Sequence, residues 1–118
     1  MQNVYETVFI LKPTLTDEET KARVQFILDT ITNNGGEIEA THEIGTRRLA
    51  YKVDKYERGF YCVAYFKSVP ETVKELERIY TITEDIIRFM TIKYENKKEL
   101  AQWNKMVEMA KSIKQKAA

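Results

Sequence analysis

The sequence predicts an α+β sandwich: a four-stranded antiparallel sheet with two helices on one face, built from two interleaved β-α-β units, plus a C-terminal helical extension. Three observations predict it. Four segments carry strand-forming residues, most of them alternating between apolar and polar at a period of two. Two segments between them repeat apolar residues every three or four positions, each behind a helix-start signal. The whole, 118 residues at 43% hydrophobic and 31% charged, suits one domain with one core.

Tyr5 to Lys12, YETVFILK, alternates around β-formers and stops at Pro13, which reads as a strand and a turn. Thr16 precedes Glu19 by three, a capping box that opens a helix with Val24, Ile27, Leu28 and Ile31 on one face. Asn33-Asn34-Gly35-Gly36 ends it. EIEATHEI then alternates, with Ile38, Ala40, His42 and Ile44 on the inward side and Glu37, Glu39, Thr41 and Glu43 opposite. This second strand continues past Gly45, a bulge, through TRRLAYKV, turns at Asp54 to Arg58, and returns as GFYCVAYFK. Pro70 opens a second helix with Val73, Leu76 and Tyr80 on its inner stripe, and DIIRFMTIKY supplies the fourth strand.

That order is the one found in ferredoxin-like folds, here over residues 1–96. Residues 97–118 form a helical tail with Leu100, Trp103, Val107 and Ala110 in a stripe that Met106, Met109 and Ile113 widen. The tail packs on the open sheet, on a partner, or on another copy; Lys114 to Ala118 are free to fray.

One cysteine makes no internal disulfide, and no apolar run approaches the ~18 residues of a membrane span. The chain reads as soluble and cytoplasmic, with no membrane partner. Its net charge of +1 hides an asymmetry. Residues 1–40 hold three Lys/Arg against seven Asp/Glu, 41–67 six against three, 68–85 two against five, and 86–118 eight against three. Two basic blocks fit a face turned to an acidic partner, phosphate being the commonest; solvated charge is the alternative.

Catalysis has little to work with. The single His42 and single Cys62 lie on different strands, there is no Gly-rich phosphate loop, and no Cys/His spacing suits a metal. His42 reads as a core-edge histidine and Cys62 as a small core hydrophobe. Asp17, Glu18 and Glu19 sit at a helix start, where the dipole favours them. Acylphosphatases share the topology, but the loop after strand one, PTLTDEE, lacks their Gly-rich cradle. The expectation is no enzyme, no cofactor, no metal and no small-molecule substrate. A sensing domain of ACT type is an alternative, although that same loop lacks the glycine such domains use for ligands.

RGFYCVAY, Arg58 to Tyr65, resembles the octamer with which RNA-recognition motifs stack bases, except that Cys62 stands where a ring is needed. Alternation puts Phe60, Cys62, Ala64 and Phe66 in one wholly apolar set and Tyr61, Val63, Tyr65 and Lys67 in the other. Phe60 and Cys62 therefore face the helices, the wrong side for stacking, and Phe9 of the first strand turns the same way. A stand-alone single-stranded RNA binder is thus the second alternative.

The hairpin as a whole, EIGTRRLAYKVDKYERGFYCVAYF, resembles the signature of the bacterial small-subunit ribosomal protein six family. Gly45, Arg47, Arg48, Leu49, Ala50, Tyr51, Lys55, Gly59 and Phe60 hold its places. The Tyr5-Glu6 start, Pro13, and Arg88, Met90 and Lys93 in strand four also agree, so the likeness covers about residues 3 to 95. It implies a structural constituent of the small ribosomal subunit that binds the central domain of small-subunit rRNA with small-subunit ribosomal protein eighteen during platform assembly. It further implies rRNA contacts at Tyr5, Arg88, Met90 and Lys93. Arg47, Arg48, Leu49 and Tyr51, on a protruding hairpin of alternating basic and apolar groups, suit contact with protein eighteen. Lys52, Lys55 and Arg58 supply steering charge. Trp103 anchors the tail.

Overall fold

The computed structural model describes residues 2–53 and 55–117, with side chains as far as Ile113. Its elements are β1 (Asn3–Leu11), α1 (Asp17–Asn33), β2 (Glu37–Val53), β3 (Tyr56–Ser68), α2 (Pro70–Ile82), β4 (Ile86–Tyr94) and α3 (Lys97–Ala117). All strand pairs are antiparallel and the sheet order is β2-β3-β1-β4, the ferredoxin-like arrangement that the sequence predicts.

Local signals act where they were read. Thr16 Oγ1 accepts from the Glu19 N–H at 3.2 Å while the Glu19 carboxylate accepts from the Thr16 N–H at 2.9 Å, so the capping box opens α1. Pro70 sits at the start of α2. Gly45 has φ +96°, a conformation a side chain would resist, at a register shift between Glu43 and Gly45. Asn96 and Glu99 cap α3 reciprocally, through Glu99 N–H to Asn96 Oδ1 at 2.9 Å and Asn96 N–H to Glu99 Oε1 at 3.2 Å. The hairpin turn is tighter than expected: Val53 pairs with Tyr56, and Asp54 lies outside the described residues. Of the segment expected to fray, α3 takes in residues as far as Ala117, and Ala118 lies outside the described residues.

The sheet is covered on one face by α1 and α2 and on part of the other by α3. Tyr5, Phe9, Leu11, Cys62, Ala64 and Phe66 meet Val24, Ile27, Ile31, Leu76 and Tyr80 of α1 and α2. Phe60 and Cys62 belong to this core, as the alternation requires, and burial pushes the Cys62 thiol up to about 12. At its centre Thr7 Oγ1 lies 2.9 Å from the Tyr80 hydroxyl and 3.0 Å from Thr91 Oγ1, joining β1, α2 and β4. Asp85 ties the sheet end to α1, pairing with Lys12 at 3.2 Å and Arg23 at 2.6 Å; these cations hold its carboxyl below the ordinary range.

On the opposite face α3 is the cover. Trp103, Val107 and Ala110 pack on Ala40, Val63 and Tyr65, with Val4, Val8, Ile44 and Tyr94 around them. Of the three destinations open to the tail, the sheet is the one occupied. The stripe is narrower than expected: Met109 is 65% exposed and Ile113 is also exposed, because Trp103, Met106, Val107 and Ala110 already span the seam. His42 also departs from expectation. Ile38 pairs with Phe66 but Ala40 pairs with Tyr65, so Glu39 is an extra residue that reverses the alternation. His42, opposite Val63, therefore shares the α3 face and not the inward one.

Gly59, inside the octamer, is where the hairpin crosses β1: a Cβ there would strike Ile10 Cγ2. Gly59→Ala is expected to cost about 1–3 kcal/mol in urea unfolding through this overpacking, with the helical content of the native state unchanged.

Candidate functional site

α3 leaves the β4 side of its face uncovered. Cross-strand pairing places Arg88 opposite Ile10, Met90 opposite Val8 and Ile92 opposite Glu6, all on the α3 side of the sheet. Arg88, Met90 and Ile92 are exposed, Met90 by 54%. β4 is an edge strand, so the outer row of its backbone groups has no neighbouring strand.

The long hairpin closes one end of this strip. Tyr51, 59% exposed, places its ring 4.8 Å from the Arg88 guanidinium carbon, although β2 and β4 are at opposite edges of the sheet. The distal hairpin must therefore bend over the sheet face, helped by irregularities at Gly45 and between Arg48 and Val53. Stacking leaves the in-plane N–H groups of Arg88 available to an acceptor. Arg47 and Arg48 are exposed, and Arg48 lies directly opposite Arg58, two like charges that an anion would relieve.

At the other end stands Glu6. The Tyr94 hydroxyl donates to its carboxylate at 2.8 Å, and Tyr65 is its cross-strand neighbour. Burial, reinforced by the Glu6 charge, pushes the Tyr65 hydroxyl up to about 12 and raises Tyr94 as well, so both remain protonated donors.

The residues singled out in the sequence are thus distributed unevenly. Arg88, Met90 and Tyr51 come together. Lys93 lies opposite Tyr5, on the helix side of the same edge strand, and pairs with Glu95 at 3.1 Å. Tyr5 is a correction: its ring is 5% exposed, stacked on Phe66 with centroids 5.3 Å apart, because odd positions of β1 face the helices. It offers no ring for stacking. Leu49 is the second correction, buried to 8% exposure and removed from the hairpin's contact surface. Ile92 and Glu6 were missed as site residues; their parity with Met90 and Val8 was the available signal.

Other cavities are open and mixed in character. A 360 Å³ cleft beside the β1–α1 turn is lined by Lys12, Asp17, Lys21, Glu43 and Phe60, without a convergent set of one charge. Among the described residues no group of three His, Cys, Asp or Glu could hold a metal, and no helix is long and apolar enough to cross a membrane.

Fold and site define a ferredoxin-like α+β protein with an uncovered sheet edge and a bent hairpin. A sequence profile of the family described as Ribosomal protein S6 matches residues 4–93. Small ribosomal subunit protein bS6 of Nitratiruptor is 62% identical over 109 residues, covering 92% of this chain and 85% of that protein. Its counterpart in Campylobacter lari is 55% identical over 111 residues, covering 94% and 87%. The crystal structure of 30S ribosomal protein S6 from Thermotoga maritima matches with a TM-score of 0.79 at 28% identity, over 92% of this chain and 99% of that one. The chain belongs to the ribosomal protein S6 family, whose members are structural ribosomal components and not enzymes.

The Tyr51–Arg88 contact is measurable on the free protein. A double-mutant cycle with Tyr51→Ala and Arg88→Ala in urea unfolding should give a coupling of about 0.5–1 kcal/mol, as for an exposed cation–π pair. A coupling of zero would mean that the hairpin does not rest on β4.

Proposed function

We propose that this cytoplasmic structural protein of the small ribosomal subunit binds the central domain of small-subunit rRNA together with small-subunit ribosomal protein eighteen during platform assembly. The observation that carries this reading is the uncovered β4 strip with the hairpin bent onto it, in a chain of this family. Arg88 and Lys93 lie on opposite faces of one free edge, so an RNA backbone running along β4 meets both cations and the outward backbone N–H groups. Charge-assisted bonds of this kind position the protein without reading sequence. Met90 packs beside them. Tyr5 contributes through the strand it anchors, its hydroxyl oxygen accepting from Asn3 Nδ2 at 3.4 Å.

Arg47, Arg48 and Tyr51 present the hairpin to protein eighteen, and Leu49 supports them from beneath. A chain of net charge +1 with few phosphate contacts binds RNA weakly by itself and with a shallow salt dependence. Protein eighteen supplies the missing charge and area. An RNA-recognition mode through the octamer is disfavoured by the geometry, since Phe60 and Cys62 are core and α3 covers Val63 and Tyr65.

The test is binding to a central-domain rRNA fragment at fixed salt, by this protein alone and with protein eighteen. Weak binding alone and tight ternary binding are expected, and Arg88→Ala with Lys93→Ala should cost about 1–3 kcal/mol in the ternary complex. Tight binding of single-stranded RNA by the protein alone would contradict the reading.

A further inference from the structure

Glu6 is a half-buried carboxylate held in orientation by a tyrosine. Five ion pairs link the described residues: Lys12–Asp85, Arg23–Asp85, Lys67–Glu39, Arg78–Glu75 and Lys93–Glu95. None includes Glu6. A carboxylate partly withdrawn from water is best satisfied by a cation, and Glu6 has only phenol donors, the Tyr94 hydroxyl at 2.8 Å and that of its neighbour Tyr65.

What lies around it is suited to one kind of guest. Ile92, directly opposite on β4, is exposed, and Met90 continues the apolar strip two residues along. Tyr94 holds the carboxylate from the outer strand, and Tyr65 flanks it on the inner strand, its ring edge-on to Trp103 with centroids 6.4 Å apart. A phosphate is the wrong occupant, because it would meet a fixed negative charge. A lysine or arginine fits on both counts: its aliphatic stem lies along Ile92 while its head reaches Glu6.

We propose that Glu6 is a docking point for a basic side chain of the partner protein, protein eighteen, and so fixes the register in which that protein lies across the sheet. This deepens the function proposed above and rests on it. Glu6 lies four residues along β1 from Ile10, whose cross-strand neighbour Arg88 is under Tyr51. A partner seated on the hairpin therefore needs to extend only about 13 Å along the strip to reach the carboxylate. The two ends differ in sign. The hairpin end is cationic and the Glu6 end anionic, so reversing the partner's direction places like charges together.

The experiment uses full-length Glu6→Gln, which preserves shape and removes charge, with Ile92→Ser as a second variant on the strip. Affinity for protein eighteen is measured by calorimetry at two salt concentrations, and affinity for the rRNA fragment is measured separately. Glu6→Gln is expected to weaken the protein–protein complex about tenfold and flatten its salt dependence, with thermal unfolding unchanged. Ile92→Ser should weaken it less without changing the salt slope. If the unchanged protein binds protein eighteen and Glu6→Gln binds equally well, the docking point is overturned while the proposed function stands. If the unchanged protein fails to bind protein eighteen even with the rRNA fragment present, both fall. Stronger RNA binding by Glu6→Gln with no effect on the protein complex would overturn the proposal and extend the RNA contact along the strip as far as Glu6.

Discussion

The arrangement depends on one buried contact: the Trp103 indole N–H donating to the Tyr5 carbonyl at 2.9 Å. Tyr5 faces α1 and α2 with its ring, and its backbone receives the anchor of α3 from the opposite side. One residue of a central strand thus ties together the two layers that cover the sheet. A carbonyl has two lone pairs, so it can take the indole in addition to its place in the ladder. With Trp103 seated, Val107 and Ala110 fall on the same helix face and close over Val63 and Tyr65. What remains for partners is what α3 does not reach, the β4 strip and the hairpin.

This explains why a segment resembling an RNA-reading octamer is not one. Its inward residues build the main core, and its outward residues are in large part the floor beneath α3. Gly59, which in the octamer looks like part of a recognition signature, is small because Ile10 crosses it. The exposed chemistry has moved to the sheet edge, where arginine, methionine and isoleucine alternate with core residues along a single strand.

Most of the fold was legible because local signals and period agreed. The capping box at Thr16, Pro70, Gly45 and the inward set Phe60, Cys62, Ala64 and Phe66 all act as read. The failures on β2 have one physical source, which is that period-two reasoning is valid only between bulges. The extra residue at Glu39 transferred Ala40, His42 and Ile44 to the other face, and the irregularity beyond Arg48 left Leu49 buried and Tyr51 exposed. The site was less legible. The rRNA contact that the family resemblance implies at Tyr5 stands against its own parity with Phe9, which places the ring inside, and the meeting of Tyr51 with Arg88 joins opposite sheet edges through a bend that no local pattern encodes. Glu6 acquires its character from Tyr65 and Tyr94, the latter eighty-eight residues away.

The central claim, that α3 stays on the sheet while partners use the strip, can be tested with the chain's single tryptophan. Trp103 is 3% exposed, so its emission reports directly on whether α3 is seated. The measurement is Trp103 emission and acrylamide quenching on titration with protein eighteen and the rRNA fragment, with the partner's own signal subtracted. Blue-shifted, poorly quenched emission that persists through saturation is expected. A red shift with increased quenching on binding would mean that α3 lifts away and that the face of β3 is used after all.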